Sequence, residues 1–193
     1  MEPVFSGQPI EGNAISLRYA CKQDLDEYFA YLQDEETTRL TGSQQHFTRE
    51  GTAVWLQKIS AVNAEERVDY MIIEKSSGKL IGEVVLNEID TVNRSANIRI
   101  GIRGSGNRGK GYGTEAMRLM LRVGFEDLKL HRIHLGVYAF NPRAVHVYEK
   151  IGFRREGVQR DVLFDNGQYH DMILMAMLEQ DYEAVRGGAG RPE

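Results

Sequence analysis

Residues 97–138 hold the pattern that most restricts how this chain can fold: a strand, a glycine-rich loop, a helix and a second strand. Isoleucines alternate through NIRIGI, which predicts a strand at 97–102. The loop GSGNRGKGYG follows, and the helix after it, from about Thr114, carries one apolar stripe. Alternation resumes at 132–138. Such a unit predicts a right-handed crossover between two parallel strands.

Segments on both sides of this unit extend the sheet. Apolar spacing predicts further elements in this order: a strand at 15–19, a helix over 22–33, a helix around 52–59, and strands at 68–74 and 80–88 joined by the turn SSGK. Asn141 is expected to cap a helix that has Pro142 at its first position and ends at Gly152. Asn166-Gly167 marks a closing hairpin. The predicted fold class is α/β, with a mixed central sheet and helices on both faces.

Length and composition favour one domain. The chain has 193 residues, and we expect a domain over 14–183, an N-terminal extension at 1–13 and a flexible tail at 184–193. A net charge of −4 disfavours a nucleic-acid partner. The sequence shows neither a membrane-length apolar run nor a signal-peptide pattern, so we expect no membrane partner and a cytoplasmic location. Cys21 is the only cysteine, and no metal site is predicted.

The glycine-rich loop predicts a cradle for phosphate. Glycines let successive backbone N–H groups turn toward one anion, and the N-terminus of the next helix adds partial positive charge. The segment 108–114, RGKGYGT, has G-x-G-x-G, whereas a dinucleotide fingerprint needs G-x-G-x-x-G. A P-loop fits 104–110 by count, but Gly111 stands where a Ser or Thr should bind magnesium. A third pattern, [QR]-x-x-G-x-[GA], matches Arg108, Gly111 and Gly113.

That third pattern belongs to the pyrophosphate loop of the GNAT superfamily of N-acetyltransferases, which the chain resembles over about 14–183. The similarity runs through NIRIGI, RGKGYGTEA, RIHLGV and N-x-x-A-x-x-x-Y-x-K-x-G-F. The later segment DVLFDNGQYHDMILMAML resembles the closing hairpin of the branch with the ribosomal-protein (RimJ/RimL type) and spermidine N-acetyltransferases. One departure is Arg108, where many members carry Gln. The resemblance implies a GNAT fold, acetyl-CoA as cofactor without a metal, and acetyl transfer to a primary amine by direct attack on the thioester.

The resemblance also implies where acetyl-CoA binds. The pyrophosphate is expected on the loop, mainly through backbone N–H groups. The pantetheine arm is expected along the preceding strand, whose N–H would polarise the thioester carbonyl. The implied cofactor-binding residues are Ile100, Gly101, Ile102, Arg108, Gly109, Lys110, Gly111, Tyr112, Gly113, Thr114 and Asn141.

Catalysis requires a proton donor for the leaving thiolate and a route for the amine proton. Tyr148 lies where the family often places a tyrosine near the cofactor sulfur, which implies a general acid; a ring packed in the core is the alternative. The base is not identified by the residues alone. Glu83 and Glu88 are candidates, directly or through water. His131 and His134 are alternatives, although such histidines more often have structural roles.

The sequence leaves the amine open. Six of residues 24–36 are acidic, and an acidic lip would attract a cationic amine, although a solvated helix face explains most such runs. Polyamines, protein N-termini and small amines all stay candidates, and so does a homo-oligomer. A CoA-binding sensor or regulatory domain without turnover would keep the loop but not need Tyr148. A P-loop nucleotide hydrolase is disfavoured by Gly111.

Overall fold

The computed structural model describes residues 9–60 and 66–188, which form one sheet flanked by helices. Its strands are β1 (Ile10–Glu11), β2 (Ile15–Arg18), β3 (Val68–Glu74), β4 (Leu80–Asp90), β5 (Ser95–Ile102), β6 (Arg132–Tyr138), β7 (Arg154–Asp165) and β8 (Gln168–Leu178). Its α-helices are α1 (Leu25–Leu32), α2 (Glu35–Thr41), α3 (Arg49–Ser60), α4 (Tyr112–Arg122), α5 (Pro142–Ile151) and α6 (Glu179–Gly188). Parts of the expected extension, 1–8, and of the expected tail, 189–193, lie outside the described residues.

The sheet is mixed, as predicted, and its one parallel pair among the described strands is β5 with β6. The strand order is β1-β2-β3-β4-β5-β6-β8-β7, and α4 connects the parallel pair, which confirms the predicted crossover. Pairing between β5 and β6 is confined to residues 95–97 and 132–134. Beyond them β5 continues beside β4, while β6 pairs with β8 along its whole length. The two parallel strands therefore separate toward the end of β5.

Helices cover both faces of the sheet, as predicted. On one face the apolar stripe of α4 is fully buried, with Met117 and Met120 among its largest side chains. On the other face Tyr28 of α1 and Leu56 of α3 pack with Met71 of β3 in a second cluster. Strands β3 and β4 lie between these two layers, so burial on both sides replaces the alternation of a half-exposed strand.

Two helices were not expected from the pattern. The sequence of α2, EETTRLT, has no apolar stripe, so periodicity cannot identify it. Its ends are nevertheless well capped: the Asp34 carboxylate accepts from the Thr37 N–H at 2.9 Å, and Gly42 has a left-handed φ of 68°. Helix α6 extends to Gly188, so part of the segment expected to be a flexible tail is helical.

Candidate active site

The separation of β5 from β6 opens a cleft of about 780 Å³. Its lining comes from β5, the glycine-rich loop, the start of α4 and α5, together with residues of α1, α2 and β6. The cleft brings together most residues predicted for the site: Glu83, Ile100, Gly101, Ile102, Arg108, Gly109, Gly111, Tyr112, Gly113, Thr114, Asn141 and Tyr148. Lys110 and Glu88 are not among its lining residues.

The loop presents a row of backbone donors to the cleft. Gly109 and Gly111 have φ angles of 81° and 86°, in the left-handed region that other residues rarely adopt. The N–H groups from Gly109 through Thr114 donate to no acceptor among the described residues. Because the first turn of a helix has no preceding carbonyls to bond, these donors and the positive end of α4 suit an anion such as a pyrophosphate.

The side chain of Arg108 is not directed to that row of donors. Its guanidinium is 14% exposed and donates to the Thr37 hydroxyl at 3.1 Å and to the Ile102 carbonyl at 3.2 Å. It also pairs with Asp34, at 3.5 Å, and with Glu36. Arg108 therefore ties the loop to α2 and β5. Because its backbone N–H donates to the Ser105 carbonyl at 3.2 Å, its contribution to anion binding is restricted to its long-range charge.

Other loop side chains also turn outward, and a cation that the sequence did not indicate lies beside the cradle. Lys110 and the Tyr112 hydroxyl both approach Glu74 of β3, at 3.9 Å and 2.5 Å. Arg143, in the first turn of α5, lines the cleft, and its guanidinium would lie 3.1 Å from a Cβ built at Gly109. Its position directly after the Asn-Pro cap of α5 is the only signal that could have identified it.

Helix α5 contributes two predicted residues to the wall. Asn141 caps the helix as predicted, because its side-chain oxygen accepts from the Ala144 N–H at 3.2 Å. The Tyr148 ring lies 6.0 Å from that of Phe153, and its hydroxyl has no hydrogen-bond partner among the described residues. Burial raises the pKa of Tyr148 to about 12. The phenol therefore stays protonated at neutral pH and has a proton to donate.

Glu83 is a buried carboxyl that lines the cleft from β4. It is 8% exposed, and the Tyr28 hydroxyl donates to it at 2.7 Å, while the Tyr31 hydroxyl lies 3.5 Å away. Burial raises the pKa of Glu83, and the Tyr28 hydrogen bond and nearby Arg99 offset part of that rise. Tyr28 was expected only as an apolar position of a helix, and Tyr31 was not singled out, so their hydroxyls are functional groups that the pattern missed.

The other candidate bases lie outside the cleft lining. Glu88 is exposed, with a φ of 54°, where the register between β4 and β5 shifts. The His131 Nδ1 atom lies 3.5 Å from Glu179, at the far end of β6. Burial and the adjacent Arg132 lower the pKa of His134, which favours a neutral imidazole. Of the four candidates, Glu83 alone lines the cleft.

The acidic segment 24–36 does not form a free acidic lip. Only one of its six carboxylates, that of Glu36, lines the cleft. Five of the six have partners within the chain: Asp24 with Arg18, Asp26 with Arg49, Glu27 with the Leu80 N–H, and both Asp34 and Glu36 with Arg108. Most of these charges stabilise local structure or lie on a solvated surface.

The described part of the chain has neither a membrane-spanning helix nor a metal-binding cluster. None of its helices is both long enough and apolar enough to cross a bilayer. Within the same residues, no group of three or more His, Cys, Asp or Glu side chains is arranged to hold a metal ion. Cys21 is half-buried and is not among the residues that line the cleft.

Two sequence relatives carry the names of acetyltransferases. Spermidine N(1)-acetyltransferase of Vibrio cholerae is 39% identical over 120 residues, which is 62% of this chain and 67% of that protein. YdaF of Bacillus subtilis, provisionally named a ribosomal N-acetyltransferase, is 37% identical over 109 residues, 56% of this chain and 59% of that protein. The alignment with YdaF thus spans less than two thirds of its length.

Solved structures and a family model agree with this similarity. The crystal structure of spermidine N-acetyltransferase from Vibrio cholerae in complex with CoA and spermine has a TM-score of 0.80 and 27% identity, covering 89% of this chain and 99% of that one. The model for the acetyltransferase (GNAT) domain matches residues 15–154, which include the whole predicted loop and α5. The chain therefore belongs to the GNAT family of acetyltransferases, with the mixed sheet that the sequence predicted.

Proposed function

We propose that this protein transfers an acetyl group from acetyl-CoA to a primary amine by direct attack on the thioester. The observation that carries the proposal is the row of free N–H donors at Gly109–Thr114, which opens into the cleft between β5 and β6. Glu83 and Tyr148 line the same cleft. The family membership and the CoA complex of the similar Vibrio cholerae structure support acetyl-CoA as cofactor.

The residues present fit that cofactor. The glycine cradle offers a pyrophosphate the unpaired N–H groups of Gly109–Thr114, and Arg143 adds a cation beside Gly109. The edge of β5 facing the cleft has lost its pairing with β6 after Asn97, so it offers unpaired backbone groups to a pantetheine arm. When bound, acetyl-CoA supplies a thioester carbonyl, an electrophile with a thiolate leaving group.

Two side chains then divide the proton chemistry between them. Glu83, with its raised pKa, accepts the amine proton directly or through water, so that the amine attacks in its neutral form. Tyr148 holds its proton at neutral pH and donates it to the departing thiolate. A backbone N–H of Ile100–Ile102 donates to the carbonyl oxygen as negative charge develops there. No step requires Cys21 or a metal.

Two measurements test the proposal. Calorimetry should show binding of acetyl-CoA and weaker or no binding of ATP–magnesium and of NAD. Free thiol should then be released from acetyl-CoA only when an amine is added. Binding without amine-dependent release would indicate a CoA sensor, and preferential binding of ATP–magnesium would contradict the assignment of the loop.

A further inference from the structure

The part of the cleft beside β6 and β8 has an apolar and aromatic wall. We name it the acceptor end and define it by the lining residues Leu32, Phe47, Tyr138, Phe140 and Met172. The Tyr138 and Phe140 rings are stacked, with centroids 5.3 Å apart and planes inclined by 4°. Such a wall provides van der Waals contact and a π face rather than hydrogen bonds.

Groups behind the stacked pair hold it in place. A Cβ at Gly42 would overlap the Tyr138 ring, so the turn after α2 packs directly against that tyrosine. The His170 ring meets Phe140 edge-on at 4.9 Å, and the Arg39 guanidinium lies 5.2 Å from the Phe140 centroid. The aromatic surface is thus preformed, and a substrate need not order it.

The acceptor end has too few unpaired carboxylates to bind a polycation. Only two carboxylates, those of Glu36 and Glu83, are among the described lining residues, against three guanidiniums, those of Arg99, Arg108 and Arg143. Glu36 pairs with Arg108, and Glu83 is buried beneath the Tyr28 hydroxyl. A further carboxylate, that of Glu35, lines an adjoining depression that shares Leu32 and Phe47 with the acceptor end. A polyamine would therefore lack a separate unpaired carboxylate for each of its ammonium groups, and an ammonium buried without one is strongly disfavoured.

Building on the proposed function, we infer that the acceptor is an amine with one positive charge attached to an aromatic or apolar group, and that Phe140 determines this specificity. The single ammonium loses its proton through Glu83 on the way to attack, while the apolar body lies against the acceptor end. This chemistry is offered by a free arylalkylamine and by the amino-terminal residue of a peptide. It distinguishes the chain from the spermidine N-acetyltransferases that it resembles.

The test compares kcat/KM for amines on the full chain at saturating acetyl-CoA, measured as thiol release. The probes are 2-phenylethylamine, a short peptide amide that begins with phenylalanine, and spermidine. We expect at least one of the first two to exceed spermidine by about tenfold or more, and the better of the two identifies the source. Spermidine equal to or better than both would overturn the inference and leave the proposed function standing. Release with no amine would overturn both.

A matched pair of variants tests the role of Phe140. Phe140→Ala should lower kcat/KM for the preferred aromatic amine about tenfold while changing that for spermidine less than twofold, with acetyl-CoA affinity unchanged. Tyr169→Ala removes an exposed aromatic outside the cleft lining and should leave the preference unaltered. Equal losses for both amines in Phe140→Ala, with cofactor binding intact, would show a merely structural role and contradict the inference.

Discussion

Replacing Glu83 by Gln separates the effect of a buried charge on stability from the role of the carboxylate as a catalytic base. The carboxyl is buried, accepts a hydrogen bond from Tyr28 at 2.7 Å, and has a pKa raised by burial. Gln has nearly the same shape, and its amide can still bond the Tyr28 hydroxyl. The substitution therefore removes a base and a buried charge while preserving packing.

The sign of the stability effect follows from the raised pKa. The wild-type domain has the full benefit of a neutral buried carboxyl below the pKa of the unfolded chain, and this benefit is lost as the pH rises through the folded pKa. Gln never acquires a charge, so the free energy of unfolding of Glu83→Gln, relative to wild type, should rise from pH 5 to pH 8. Each tenfold difference between the acid dissociation constants of Glu83 in the folded and the unfolded chain contributes about 1.4 kcal/mol to the free energy of unfolding.

The activity of Glu83→Gln relative to wild type should fall as the pH rises, whereas its relative stability should increase. With Glu83 as base, kcat/KM rises with pH as the carboxyl ionises, and Glu83→Gln should lose that limb and about 10²–10⁴ in rate at high pH. Urea unfolding at both pH values and a pH–rate profile measure the two effects. Glu88→Gln, at the exposed alternative, should keep its activity within about twofold. A folded Glu83→Gln enzyme with a wild-type profile would refute the reasoning.

Three further predictions concern the cofactor cradle, the acid and the strand. Gly111→Val should raise the acetyl-CoA dissociation constant at least about tenfold. Gly78→Val is the control, because Gly78 has a similar left-handed φ of 69° in the turn between β3 and β4 and does not line the cleft. It should lose stability but bind normally, as calorimetry would show. Tyr148→Phe should lower kcat by about 10²–10⁴ with unchanged acetyl-CoA affinity, and wild-type turnover would remove it from the mechanism. Gly101→Ala should lower the free energy of unfolding in urea by about 1–3 kcal/mol, because its Cβ would overlap the Tyr31 hydroxyl. Adding Tyr31→Phe should restore only part of that stability, since the ring carbon Cζ lies 3.1 Å from the new Cβ. No recovery in the double variant would contradict the contact.

Backbone features were predictable because local sequence encodes them. The Asn141 cap and the crossover depend on conformational preferences and periodicity over a few residues, and both are confirmed. Gly109 and Gly111 have the left-handed φ angles that glycine favours. Side-chain partnerships across the fold were not. The Tyr28 hydroxyl reaches Glu83 over a separation of 55 residues, which no local pattern records.

The direction of the Arg108 side chain was similarly unpredictable. The motif places it beside a phosphate cradle, yet α2, the element it binds, carries no apolar periodicity and was not expected as a helix. Composition alone also left the role of the acidic segment 24–36 open, because a run of acids does not reveal that Asp24 is engaged in an ion pair and Asp34 in a helix cap.

The most direct test of acetyl transfer by direct attack is stoichiometry. Wild-type protein would be incubated with acetyl-CoA and its best amine, and free thiol, acetylated amine and intact protein would be quantified in the same samples by mass spectrometry. We predict one acetylated amine for every thiol released and no acetyl group on the protein. Thiol release without acetylated amine, or an acetylated protein that passes its acetyl group to the amine, would contradict the account.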